Sequence, residues 1–175
     1  MNHGFSANSA TVRPEAKVSN DGFFTDLSIA EFASGYGLPA EMTNEIIEQY
    51  LLSAMDRINT ALESFKTDSD EKGFNKLEDV ISSTLGGISA KVIQYKQAVY
   101  SAAKADLLRA DISMDRKPNA ENKAGTGEEL MNHYERQSTR AIANIQGKRL
   151  IGVYSVWKQW MIFCPWSMIK KHCWR

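Results

Sequence analysis

Three stretches of this chain repeat their apolar residues at intervals of three and four, and that periodicity commits most of it to amphipathic helices. In the first, Met42, Ile46, Ile47, Leu51, Met55, Ile58, Leu62 and Phe65 share one face of a helix predicted from Glu41 to Phe65. In the second, Ile88, Val92, Tyr95, Val99, Ala102, Ala103, Leu107 and Ala110 repeat the face, with Ala98, Ala102, Ala103 and Ala105 small enough to admit a close neighbour. In the third, Leu130, Tyr134, Gln137, Ala141, Ile142 and Ile145 trace a face that stops at Gly147, a residue suited to a left-handed C-cap. The expected fold class is all-α, a bundle of three long helices plus short ones.

Local signals divide the chain further. Ser28 followed by Glu31 forms a capping box for a short helix closed by Gly35 and Gly37, and Thr126 with Glu129 forms another at the head of the third helix. Asp68, Ser69, Asp70 and Gly73 interrupt the first face, after which Phe74, Leu77 and Val80 make a small cluster readable as a short helix or an ordered connection. Asp111 to Gly125 is polar, contains Pro118, and is expected to be an exposed protrusion. Residues 1–20 carry too little apolar surface to offset the entropy of ordering and are expected to form a mobile arm. The expected organisation is an arm over 1–20, a helical domain over 21–147, a strand over 148–156 and an extension over 157–175.

That strand poses a physical problem. RLIGVYSV, from Arg149 to Val156, has β-branched and aromatic residues without helical spacing, yet nothing else in the chain reads as its partner. Its backbone donors and acceptors must be satisfied somewhere, so the expected partner is another chain. The extension beyond it holds all four tryptophans and both cysteines. From Gly152 to Ile169 only Lys158 is charged, which superficially resembles a membrane anchor, but Lys158, Gln159 and Pro165 and the marginal length argue against a span.

Charge is balanced overall, at 21 basic and 21 acidic residues, but not along the chain. The last acid is Glu135; beyond it come Arg136, Arg140, Lys148, Arg149, Lys158, Lys170, Lys171 and Arg175, so a body of charge −8 carries a tail of +8. Such a split points to a tail made to meet something, against the plainer reading of two solvated faces.

Catalytic chemistry is not expected. His3, His133 and His172 have no metal-ligand spacing, and His133 beside Tyr134 reads as a packing residue. Walker, GxGxxG and GxSxG motifs are missing, and Gly86-Gly87 reads as a turn because it precedes a helix without the Gly-Lys-Ser/Thr arrangement that phosphate binding wants. Asp68, Asp70 and Glu71 lack the remaining ligands of a calcium loop. Glu128 and Glu129 are explained by the favourable field at a helix N-terminus. Two cysteines, Cys164 and Cys173, make neither a disulfide framework nor a zinc site and favour a reducing compartment. The N-terminus carries neither a charged n-region nor an apolar h-region. The expectation is no enzyme, no cofactor and no metal.

Four segments, in order, resemble one family. RAIANIQGKRLIGV, Arg140 to Val153, is similar to the C-terminal signature of the phage head completion (GpL) family of temperate tailed phages. DGFFTDLS (Asp21 to Ser28), GFNKLEDV (Gly73 to Val80) and KVIQYKQAVYSAAKADLLRAD (Lys91 to Asp111) resemble its aromatic start, its inter-helix segment and its central helix. The likeness covers roughly Asp21 to Val153. It implies a non-catalytic head-to-tail connector of a virion, assembled in the bacterial host cytoplasm as a twelve-fold ring beneath the portal. It implies retention of packaged DNA, and a platform for the next neck or tail-completion protein.

In related connectors the C-terminal strand docks on the portal, which implies portal binding by Lys148, Arg149, Leu150, Ile151, Gly152, Val153, Tyr154 and Ser155. Strand addition would supply the missing ladder, with Leu150, Gly152 and Tyr154 facing one way and Ile151, Val153 and Ser155 the other. Glu128, Glu129, Arg136 and Arg140 are candidate channel-lining or interface residues. An acidic channel would let double-stranded DNA slide without sequence-specific binding, because a basic lining holds phosphates through counterion release. The extension from Tyr154 onward departs from the expected family ending. A membrane-associated helical protein is the alternative reading; a DNA-binding regulator fits less well, because no helix carries a dense basic face.

Overall fold

Helix α4 (Ala90–Met114) is the element against which the others are laid. Tyr95, Ala98, Val99, Ser101, Ala103 and Ala105 are all at most 1 % exposed, and with the buried Tyr100 and Leu107 they occupy most of the helix circumference. A helix buried on nearly all sides belongs in the middle of a fold. The computed structural model describes residues 16–114 and 121–148, and is mostly helical. Ahead of α4 come β1 (Lys17–Val18), β2 (Leu27–Ser28), α1 (Ile29–Gly35), α2 (Asn44–Ala61), α3 (Glu63–Glu71), a single 3-10 turn (Leu77–Asp79), β3 (Thr84–Leu85) and β4 (Ile88–Ser89); α5 (Glu121–Ile145) follows it. α2 and α5 both pack on α4, with α5 running alongside it for most of its length.

The predicted helix over Glu41 to Phe65 is divided. It starts at Asn44 after Thr43 and bends at Leu62, whose amide is shared between the carbonyls of Ile58 (3.0 Å) and Asn59 (3.1 Å) before α3 restarts. Leu62, at φ −102° and ψ 5°, is fully buried where the two helices meet. Asp68 to Asp70, expected to interrupt the helix, lie inside α3, where buried Ser69 donates from Oγ to the Phe65 carbonyl at 2.7 Å. α3 closes with Phe74 N bonded to Ser69 O (3.0 Å) and Gly73 N to Asp70 O (2.9 Å), the paired bonds of a Schellman motif.

The expected protrusion over Asp111 to Gly125 also shrinks. α4 continues to Met114 and α5 begins at Glu121, leaving only 115–120 between them, outside the described residues. The Thr126–Glu129 capping box is therefore not a helix start. Gly127 faces Ile112 across the α4–α5 contact, where a Cβ would come within 3.3 Å of the isoleucine side chain.

Lys17 to Asn20 fall within the expected arm but are part of the fold. β1 pairs with β2 antiparallel, Val18 is 2 % exposed, and the Ile29 amide bonds to Ala16 O at 3.0 Å. Asn20 Nδ2 donates to Tyr95 OH (2.7 Å), Tyr95 OH donates to Asn59 Oδ1 (2.7 Å), and Asn59 Nδ2 donates to Asn20 Oδ1 (2.9 Å). The segment after it places Phe24 stacked on Tyr95 at 4.8 Å between centroids. The Ser28 cap behaves as its motif predicts, with Glu31 N donating to Ser28 Oγ at 3.2 Å. Its second half is carried by Tyr100, whose OH accepts from Ser28 N and lies 3.2 Å from Glu31 Oε2.

Gly86 and Gly87 form the predicted turn. With φ of +59° and +81° they supply the two left-handed residues that a two-residue hairpin between β3 and β4 requires. Residues 1–15 of the arm, the strand from Arg149 onward and the extension over 157–175 lie outside the described residues.

Candidate functional site

α5 carries all four residues expected to line a channel or an interface. Its inner face, formed by Ser138, Ala141 and Ile145, is buried against α4. Gln137 accepts from Ser101 Oγ at 3.0 Å, and Ser101 also meets Tyr36 OH at 3.2 Å, so the segment just after α1 is tied to α4 and α5. Burial pushes the Tyr36 hydroxyl above its ordinary range of ionisation, so it serves as a neutral partner. With that side committed, Glu128, Glu129, Arg136 and Arg140 are all exposed. At about 100° per residue, Glu129, His133, Arg136 and Arg140 fall within an arc of about 60°. The structure thus brings three of the four onto one outward stripe, and Glu128 lies off to one side; because α5 begins at Glu121, Glu128 and Glu129 lie in its interior and the expected helix N-terminus does not account for them.

The end of α5 is fixed from three directions. Lys148 N bonds to Ala143 O (2.9 Å) and Gly147 N to Asn144 O (3.2 Å), with Gly147 at φ +67°, as its sequence position predicts. Lys91 Nζ donates to the carbonyls of Ile145 and Asn144 while sitting 5.4 Å over the Phe65 ring. Burial lowers the Lys91 pKa, and the carbonyls and ring face are what its ammonium gains there. Gln146 Nε2 donates to Ala61 O of α2 at 2.9 Å. The segment 148–155 therefore leaves from a defined point; of it only Lys148, exposed, is described, while Arg149 to Ser155 lie outside the described residues.

Two features of this surface have no motif in the sequence. Arg57 of α2 pairs with Asp106 of α4 at 2.8 Å, Asp106 with Arg109 at 2.8 Å, and Arg109 with Glu135 of α5, so one ion network crosses three helices. It bridges a groove of about 330 Å³ between α2 and α5, with Ala102 and Ala105 on its floor. A second hollow of about 350 Å³ lies on the outer side of α5, lined by Asn132, Glu135, Arg136, Thr139 and Arg140. The pairs that cross between helices in the first network join residues 49 and 26 positions apart, which is why no local pattern announces it. The second is lined by residues of α5 alone, but which side of α5 faces outward is decided by its packing on α4.

A larger recess, about 760 Å³ beside Phe23, Glu31, Lys76 and Lys96, is open and polar, and its Lys96–Glu31 pair is closed at 2.7 Å. Among the described residues no group of His, Cys, Asp or Glu could hold a metal ion, and no helix is long and apolar enough to cross a membrane.

The chain matches a family model, phage head completion protein (GPL), over residues 18–155. It is 26 % identical over 134 residues to a head completion/stabilization protein of Escherichia phage P2, covering 77 % of this chain and 79 % of that one. It is 23 % identical over 132 residues to a probable head completion/stabilization protein of Haemophilus phage HP1, covering 75 % and 87 %. No solved structure matches it. A family match that takes in every described helix, together with relatives aligned over most of their own lengths, means that this chain belongs to the phage head completion protein family and has a structural role in the phage head.

Proposed function

We propose that the chain is a head-to-tail connector of the neck, assembled in the host cytoplasm as a twelve-fold ring under the portal. There it retains packaged DNA and offers a platform for the next neck or tail-completion protein. The observation that carries this reading is that the family match runs through Ser155, the last residue of the expected docking segment, and stops before the tryptophan-rich extension. The rigid end of α5 supports it, because a strand that must find a portal edge benefits from a fixed point of departure. Lys148 to Ser155 are the proposed portal-binding residues.

Quantitative mass spectrometry of purified particles tests the reading. Copy numbers near that of the portal protein are expected; absence from particles would overturn it. Deleting 149–155 should leave the helical fold intact and remove the protein from particles, whereas truncation after Ser155 should leave it bound. Glu128 and Glu129 are the proposed channel acids. Glu128→Lys with Glu129→Lys should slow genome exit through phosphate attraction, and unchanged ejection kinetics would dismiss their place in the channel.

A further inference from the structure

Two exposed faces, on the two helices that pack against α4, are complementary in charge. On α2, Glu45, Glu48, Leu52 and Asp56 are exposed along one stripe, with Leu52, 48 % exposed, standing four residues from a carboxylate on either side. On α5, Arg136 and Arg140 flank the hollow of about 350 Å³. At about 1.5 Å of rise per residue, Glu48 and Asp56 stand about 12 Å apart along α2 and Arg136 and Arg140 about 6 Å apart along α5, so the two faces match in charge rather than in spacing. Among the described residues none of Glu45, Glu48, Asp56, Arg136 or Arg140 is in an ion pair, whereas Asp106, Arg109 and Glu135 close by are all paired within the subunit.

We infer that the acidic stripe of α2 docks on the Arg136–Arg140 face of α5 of a second copy of this chain. Leu52 packs against the hollow, and Glu48 and Asp56 pair with the Arg136 and Arg140 side chains, which splay outward to reach them. The contact joins two different patches, and such heterologous contacts build rings or filaments rather than isolated dimers. The inference rests on the ring reading above and names its subunit interface. A phosphate backbone is the less suited occupant of the arginine face, because Glu135 lines the same hollow and Glu129 shares the stripe.

The test uses full-length chains supplied to a phage lacking its own copy: Glu48→Lys with Asp56→Lys, Arg136→Glu with Arg140→Glu, each alone and both together. Each reversed chain alone faces like charge at every contact, and copies per portal in particles should fall by about tenfold or more. Produced together, the two chains are complementary to each other, and incorporation should return. Normal incorporation of either chain alone overturns the inference. So does an arginine-reversal defect that the α2-reversed chain does not relieve, which would assign the arginines to DNA or to another head protein. Wild-type protein missing from particles would instead fail the ring reading itself. Thermal melts of the purified chains check folding; if a double reversal unfolds, Glu48→Lys and Arg140→Glu singly carry the same test.

Discussion

Tyr95 shows how a single side chain can serve packing and polar closure at once. Its ring lies under Phe24 and its hydroxyl completes the hydrogen-bond ring with Asn20 and Asn59, while burial raises its pKa far above the range where it would ionise. Tyr95→Phe keeps the packing but strips a buried acceptor on Asn59 of its donor, and should cost about 1–3 kcal/mol. A lower urea midpoint at unchanged slope would show it. Asp21 supplies the pH dependence: burial raises its pKa, but the Lys66 ammonium at 2.8 Å and the amides of Phe24 and Phe23 outweigh it, and the net shift is downward from 3.8. Its contribution is therefore present above pH 3.8 and is lost as pH falls through the lower folded value. Asp21→Asn should flatten the acid limb of a stability–pH curve measured by denaturant titration.

Elements in this protein are ended by hydrogen-bonded caps and drawn together over small residues. Gly147 closes α5 at φ +67°, and a Cβ added there would meet no atom within 4 Å, so Gly147→Ala tests backbone strain alone and should cost about 1 kcal/mol. Ala98 of α4 is fully buried, and Ala98→Leu should cost about 1–3 kcal/mol by forcing neighbouring helices apart. Thermal or denaturant unfolding measures both. The alanine stripe of α4 and the caps at Ser28 and Gly147 were legible in the sequence because each depends on residues within a few positions. The break at Leu62 was not, because the apolar face continues unbroken to Phe65 while the shared Leu62 amide and its backbone angles interrupt the helix.

Across the assembled fold, the segment Ala16 to Ser28 closes the bundle over α2, α3 and α4. Leu27 within it is fully buried, and Leu27→Ala should cost about 2–5 kcal/mol. If the segment is integral, far-ultraviolet and tyrosine signals should fall in one shared transition at a lower midpoint; separate transitions would make it an appendage. Composition placed residues 17–20 in a mobile arm because it weighs how little apolar surface they carry. It cannot see that one valine and one asparagine, Val18 and Asn20, have sites waiting for them on distant elements. The same limit governs the candidate site: the sequence singled out Arg136 and Arg140, but their outward stripe, the hollow beside them and the outward acidic stripe of α2 exist only once both helices are laid on α4.

Spacing and backbone chemistry over a few residues were enough to set the helical class, most of the faces turned inward, the caps at Ser28 and Gly147 and the diglycine turn. Long-range packing settled the rest: where the first helix breaks, how far α4 and α5 run into the polar stretch between them, and that Ala16 to Asn20 join the fold. It also settled which charges are spent on internal pairs and which remain outward. Those outcomes depend on contacts between residues far apart in the chain, whose free energies no local pattern contains.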